Sequence, residues 1–182
     1  MEYNAVKAVQ VVARIVANNN YHPLHIAELS KLVFLSDLES IKRHGYPILD
    51  EPRATVNLAP VNLYTYEVIK GRRAIRVGEW DGVIEVQGEQ TIEISINRFV
   101  IADHLDELSK AEIECIDAVC EARTCTHGSA NIPIWNSKSN HPISLFEMMN
   151  AAGHTDPDAH CLIEAYEEQA RIEAAFVKAR MA

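Results

Sequence analysis

The sequence predicts a mainly helical α+β domain, in which a central buried helix is surrounded by helices and by a small three- to four-stranded antiparallel sheet. Long segments of the chain repeat apolar residues with a helical period, whereas short stretches between residues 53 and 96 alternate apolar and polar residues. The chain has 182 residues, 48% of them hydrophobic, which is enough for one core without metal or disulfide support.

The first two predicted helices lie near the N-terminus. Residues 4–19 carry an apolar stripe that includes Val9 and Val16, and the three asparagines at 18–20 end it. A second helix follows Pro23, runs over about 24–44 and stops at Gly45. Apolar residues cover most of the circumference of this second helix, so we expect it to be the central one.

Asp37 lies on the apolar surface of the second predicted helix, between Val33 and Ile41 on the helical wheel. A carboxylate in packed surroundings must find hydrogen-bond donors. Because no second acid or base is visible beside it, a structural role is favoured over a catalytic one.

Alternating patterns predict the strands of the sheet. They lie at residues 53–58, 75–77 and 84–86, with 92–96 pairing back across the turn at Gly88. Between the first two stretches, residues 61–70 predict a short helix that ends at Gly71.

The last third of the sequence predicts three further helices. A serine followed three residues later by a glutamate forms a capping box at Ser109 and again at Ser144. Asp156 is the predicted cap of the final helix, and Pro157 opens it. The connection at 124–142 has no predicted structure and is unusually long, so it is either a functional loop or contains a short helix that the pattern does not reveal.

Charge is distributed unevenly along the chain. The net charge of −9 divides into +3 for residues 1–78 and −12 for residues 79–182. The acidic second part would repel phosphate and attract a basic protein partner. Any basic face would have to lie around Arg72, Arg73 and Arg76.

Composition also bounds the location of the protein. No apolar run is long enough to span a membrane, and the N-terminus lacks the pattern of a secretory signal, so the cytoplasm is expected. The four cysteines contain no CxxC pair and are expected to be reduced, partly buried thiols.

Motifs for most enzyme classes do not occur: there is no phosphate loop, dinucleotide fingerprint, GxSxG or HExxH sequence. We therefore expect no catalytic residues, no metal and no cofactor. A metal-dependent hydrolase stays as the weaker alternative, because His22 and His25 are spaced HxxH and because His154 and His160 flank two aspartates.

A DNA-binding regulator is a second alternative. The first two helices resemble a helix-turn-helix arrangement, with residues 75–96 as a wing. The second helix is too apolar to enter a groove, so binding to nucleic acid is not favoured.

Several short motifs occur together in a fixed order. They are KLVFLSD at 31–37, HGYPI at 44–48, APVNLY at 59–64 and LSKAEI at 108–113, followed by His127 and Trp135. This order resembles the Panacea domain of SocA-like antitoxins over about residues 5–152. One position departs from the family pattern, because Ala59 stands where a glycine usually precedes the Pro-Val pair.

The resemblance implies a cytoplasmic prokaryotic or phage-associated protein that neutralises a cognate toxin by direct protein–protein binding. In at least one branch of the family, the antitoxin also hands its toxin to an AAA+ protease. The corresponding domains are a Panacea-like domain at 1–154 and a C-terminal helical extension at 155–182. The residues it suggests for partner binding are Asp37, Arg53, Tyr64, His127 and Trp135.

Overall fold

The computed structural model describes residues 3–22, 24–70, 84–87, 93–96, 106–125 and 140–180. The helices of this part are α1 (Ala5–Asn18), α2 (Ile26–His44), α3 (Leu63–Ile69), α4 (Lys110–Cys125), α5 (Leu145–Ala151) and α6 (Asp156–Arg180). The strands are β1 (Leu24–His25), β2 (Arg53–Val56), β3 (Ala59–Asn62), β4 (Ile84–Gln87), β5 (Glu93–Ile96) and β6 (Pro142–Ile143). The predicted class, α+β and mainly helical, is confirmed.

Helix α2 is the centre of the domain. It packs against α1, α4, α5 and β3, and its side chains Leu29, Phe34 and Ile41 have no solvent exposure. The predicted central helix is therefore confirmed, but its predicted start is wrong by two residues, because Leu24 and His25 pair with β5 and His25 caps the helix. Burial on this scale leaves α2 without the exposed polar face that a DNA-reading helix needs. Among the described residues, no helix is both long and apolar enough to cross a membrane.

The core consists of two clusters on either side of α2. The larger one joins α1, α2 and α4 through residues such as Val12, Leu29 and Ile116. The smaller one joins α2 to α5 and α6 through Phe34 and Met148, among others. Each of these large side chains contributes roughly 1.5–3 kcal/mol by leaving water, so the two clusters fix the helices around α2.

The described strands form two antiparallel sheets of three strands each, in the orders β1-β5-β4 and β3-β2-β6. The predicted hairpin is confirmed, with Ile84 opposite Ile96. Residues 59–62 pair with β2, so the prediction of a helix from residue 61 is wrong in its first two positions. The helix begins only at Leu63, because the pairing satisfies the backbone groups before it. The predicted strand at 53–58 is wrong in its last two positions, because Asn57 and Leu58 have positive φ and form the turn to β3. The predicted strand at 75–77 lies outside the described residues.

Side-chain caps fix the starts of the later helices. Ser109 and Glu112 exchange hydrogen bonds of 2.8 and 3.3 Å, and the capping box at Ser144 is also present. Both predictions are confirmed. The predicted cap at Asp156 is wrong by one residue, since the carbonyl of Thr155 already accepts the first helical bond from Ala159.

Helices α1 and α4 are also joined by polar contacts at the edge of the larger cluster. Arg14 donates two hydrogen bonds to Asp117, of 2.7 and 2.6 Å, and Asn18 donates a third of 2.8 Å. The Arg14 hydrogen bond lowers the pKa of the Asp117 carboxyl. Both side chains of this pair remain about 30% exposed, so its contribution to stability is modest.

Gly45 ends α2 in the left-handed conformation, with φ of 81°, and a Cβ there would lie 2.7 Å from Leu162 on α6. We expect Gly45→Ala to destabilise the protein by about 2 kcal/mol, from the positive φ and from displacement of Leu162. Gly153→Ala is the matched control, because Gly153 has φ of 97° and open space around it. It should cost only about 1 kcal/mol. Equal losses in urea unfolding would show that α6 does not press on the end of α2.

Candidate functional site

The Asp37 carboxylate forms the polar centre of the domain. It is 1% exposed, and one of its oxygens accepts the backbone N–H groups of Ile48 and Leu49, both at 3.0 Å. The other oxygen accepts Arg53 at 2.7 and 3.2 Å and the side-chain amide of Asn62 at 2.8 Å. The prediction that Asp37 is buried among hydrogen-bond donors is confirmed.

Arg53 is the cationic partner of Asp37 and is itself buried. Its guanidinium also donates to the carbonyl of Leu49. Asp37 therefore accepts two backbone N–H groups of the segment 48–53, and Arg53 donates to one of its carbonyl groups. Together the two side chains fix the backbone of this segment. A buried ion pair with all its hydrogen bonds made is costly to break, because either partner alone would be an uncompensated charge.

Glu51 forms a second buried polar group beside the first. Its carboxylate accepts the backbone N–H of Thr65 at 2.8 Å and the Thr65 hydroxyl at 2.5 Å, and the Tyr3 hydroxyl lies 3.2 Å from the same threonine oxygen. Burial raises the pKa of Glu51 to about 7, although the Thr65 hydrogen bonds oppose the shift. Glu51 thus ties the segment before β2 to the start of α3.

A cleft of about 560 Å³ opens between the N-terminal segment, residues 44–50 and α6. Tyr166 on α6 hydrogen-bonds Asp50 across it, and burial together with Asp50 raises the pKa of the tyrosine. Ile48 and Leu49, which Asp37 holds by their backbone, line the same cleft. The buried polar centre therefore sets the shape of one wall of an accessible cleft.

The five residues suggested for partner binding occupy different environments. Asp37 and Arg53 come together, but both are buried. Tyr64 is half-buried and packs edge-on against the ring of Tyr3, with 5.7 Å between centroids. His127 and Trp135 lie outside the described residues. The assignment of all five to a partner surface stays a prediction.

Two histidines and two cysteines have structural environments, whereas Cys161 is exposed, so the prediction of partly buried cysteines is wrong for Cys161. His25 accepts from the backbone of Ala27 at the start of α2, and His154 bonds the carbonyl of Ile41 at 2.9 Å. Within the described part of the chain, no group of three or more His, Cys, Asp or Glu side chains is placed to hold a metal ion. Cys115 and Cys120 are buried free thiols, and burial raises the pKa of both.

Sequence reasoning missed Glu51, Asn62, Asp50 and Tyr166. The first three stand in or next to short irregular segments, where no periodicity marks a buried side. Tyr166 follows the helical period but meets Asp50 only through the approach of α6 to residues 44–50. No local pattern could have found these contacts, because Arg53 pairs with the distant Asp37 and not with the neighbouring Asp50 or Glu51, which bonds Thr65.

Comparison with protein-family models gives one match, to the family described as antitoxin SocA-like, Panacea domain, over residues 29–128. This range is more than half of the chain. It starts in α2, includes the whole Asp37 and Glu51 network and ends just after α4. Searches of curated proteins and of solved structures gave no match.

Proposed function

Because the chain belongs to the SocA-like antitoxin family of Panacea domains, we propose that it neutralises a cognate toxin by binding it directly. The match over residues 29–128 carries this proposal, since it includes the polar centre, most of α2, and helices α3 and α4. The net negative charge of residues 79–182 supports a basic toxin as the partner. Opposite charges on two proteins accelerate their association and favour the correct relative orientation.

The polar centre supports a binding function without turnover. Both oxygens of Asp37 are occupied by five hydrogen bonds from the protein itself. An acid or base in catalysis must reach a proton of the substrate, and this carboxylate is enclosed. We propose that Asp37 and Arg53 act as positioning residues that hold segment 48–53, and that Tyr64, His127 and Trp135 contribute to the surface it supports.

Three further parts of the proposal follow from the family alone. They are a cytoplasmic location, an origin in a prokaryotic or phage-associated toxin–antitoxin pair, and a second role as an adaptor that delivers the toxin to an AAA+ protease. The adaptor role predicts that the toxin is degraded faster in cells containing this protein, and that deletion of the protease removes the effect.

Co-expression tests the proposed function. The product of the adjacent co-transcribed gene is expected to stop growth when expressed alone, and growth is expected to return when this protein is present. Tagged toxin should retain this protein through purification. An early stop codon in this gene preserves its transcript and should abolish protection, which separates a protein antitoxin from an RNA one. A neighbour that is harmless alone, or that stays toxic beside the intact protein, rules the antitoxin function out.

A further inference from the structure

Helix α6 carries an apolar stripe that extends beyond the body of the domain. Residues 162, 165, 169, 172 and 176 follow the alternating three- and four-residue spacing that keeps side chains on one side of a helix, and all of them except Gln169 are apolar. Leu162 packs into the smaller core cluster. Further along the same stripe, Ile172 is 42% exposed and Phe176 is 68% exposed. Two large apolar side chains exposed one turn apart on a helix are typical of an interaction surface.

The buried end of this stripe lines the cleft. Leu162, Ala165 and Gln169 form its α6 wall, and Tyr46, which is 37% exposed, stands on the opposite wall. Ile172 and Phe176 follow Gln169 on the same side of α6, just beyond the cleft. We call residues 162, 165, 169, 172 and 176 the α6 seam.

Carboxylates border the α6 seam. Glu168 lies beside it on the helical wheel and forms only an exposed pair with Arg171, at 3.2 Å, which is weak enough for a partner's cation to replace. Asp50 lines the cleft, whereas Glu112, which also lines it, is already paired with Lys7 at 2.6 Å. Over its 25 residues α6 carries six acidic and three basic side chains. A helix with basic flanks therefore complements the charge of α6 better than a second copy of α6 does.

We propose that the α6 seam binds an amphipathic helix of the toxin whose apolar stripe is flanked by lysine and arginine. One end of that helix enters the cleft beside Tyr46, and its apolar side chains cover Ile172 and Phe176. Lysine and arginine beside the stripe meet Glu168 and Asp50. This inference rests on the proposed function, because the occupant is a segment of the toxin.

Charge substitutions in the seam test the contact. The variant Ile172→Glu/Phe176→Glu is expected to bind the toxin found by co-expression at least roughly 30-fold more weakly and to lose neutralisation, as for central interface residues. Ala174→Glu is the matched control, since Ala174 is exposed on the opposite side of α6. It should bind like the unmodified protein. Thermal unfolding of both proteins should be unchanged, because the replaced side chains face solvent.

The electrostatic part has its own pair of variants. Glu168→Lys, beside the seam, is expected to slow association several-fold at low salt, whereas Glu167→Lys, on the far side of α6, should not. Equal rates for the two variants would contradict the basic flanks of the partner helix.

Three other outcomes would contradict binding of the toxin at the α6 seam without contradicting the proposed function. The seam variant could neutralise as well as the unmodified protein, or Ala174→Glu could weaken binding equally. Sedimentation could also show a dimer that the seam variant loses without loss of neutralisation, which would make a second copy the occupant. Failure of the unmodified protein to neutralise any toxin would instead reject the proposed function itself.

Discussion

Asp37→Asn is expected to lower the free energy of unfolding by about 3–5 kcal/mol, the usual cost of breaking a buried ion pair from one side. The amide keeps the shape of the carboxylate but leaves the buried guanidinium of Arg53 without a counter-charge. Its NH₂ group also faces backbone or side-chain donors where an acceptor is needed. Urea unfolding followed by circular dichroism measures the loss.

Asp117→Asn is the control for this prediction. Asp117 accepts as many as three side-chain hydrogen bonds but is about 30% exposed, so its loss should cost about 1 kcal/mol or less. In addition, Asp37→Asn combined with Arg53→Gln should cost less than the sum of the two single changes, because the two groups interact directly. Equal losses for Asp37→Asn and Asp117→Asn would refute the buried pair as the centre of the fold.

Stability is expected to fall as the pH rises from about 5 to 7, because of Glu51. Its pKa is about 7 in the folded protein, against 4.5 for an ordinary glutamate. Below both pKa values the carboxyl of Glu51 is protonated in the folded and in the unfolded protein, so its burial imposes no ionisation cost on folding. Between them only the unfolded state is ionised, and the free energy of unfolding falls by up to about 3 kcal/mol before levelling above pH 7.

Glu51→Gln removes this dependence on pH. A glutamine resembles the protonated carboxyl, since its oxygen accepts from the Thr65 N–H and its NH₂ can donate to the Thr65 hydroxyl. The variant should therefore be more stable than the parent at pH 8 and close to it at pH 4.5. Glu164→Gln, an exposed change on α6, is the control. If the two variants follow the same pH profile, Glu51 is not the titrating group.

Local patterns predicted the elements that depend on local interactions. The apolar circumference of α2, the hairpin around residue 88 and the two capping boxes each require only residues within a few positions of one another. Strand β3 was missed because its conformation depends on β2, to which Val61 pairs opposite Ala54. The separation of the strands into two sheets likewise depends on tertiary contacts.

The polar centre was predictable only in part. The helical wheel placed Asp37 towards the core, whereas Arg53 was singled out by the family resemblance and not by a pattern. Asn62 and Glu51 reach the centre through the path of segment 48–53 and of β3. The predictions for His127 and Trp135 remain to be tested by substitution in the binding assay.

Residues 44–50 connect the buried polar centre at Asp37 to the cleft at the surface. Asp37 fixes the backbone of Ile48 and Leu49, and both residues line the cleft into which the α6 seam leads. A carboxylate that no partner touches can therefore determine the shape of the surface that a partner binds. In the proposed mechanism, Asp37 and Arg53 would thus contribute to binding without being exposed.

Titration of a fixed amount of toxin with this protein tests direct binding most closely. If the protein acts by occupying the toxin, activity should fall linearly to zero at a constant molar ratio, and that endpoint should move in proportion to the toxin concentration. If much less than one molar equivalent of this protein inactivated all the toxin, and if the inactivation increased with incubation time, the protein would be acting by turnover. That result would contradict neutralisation by binding.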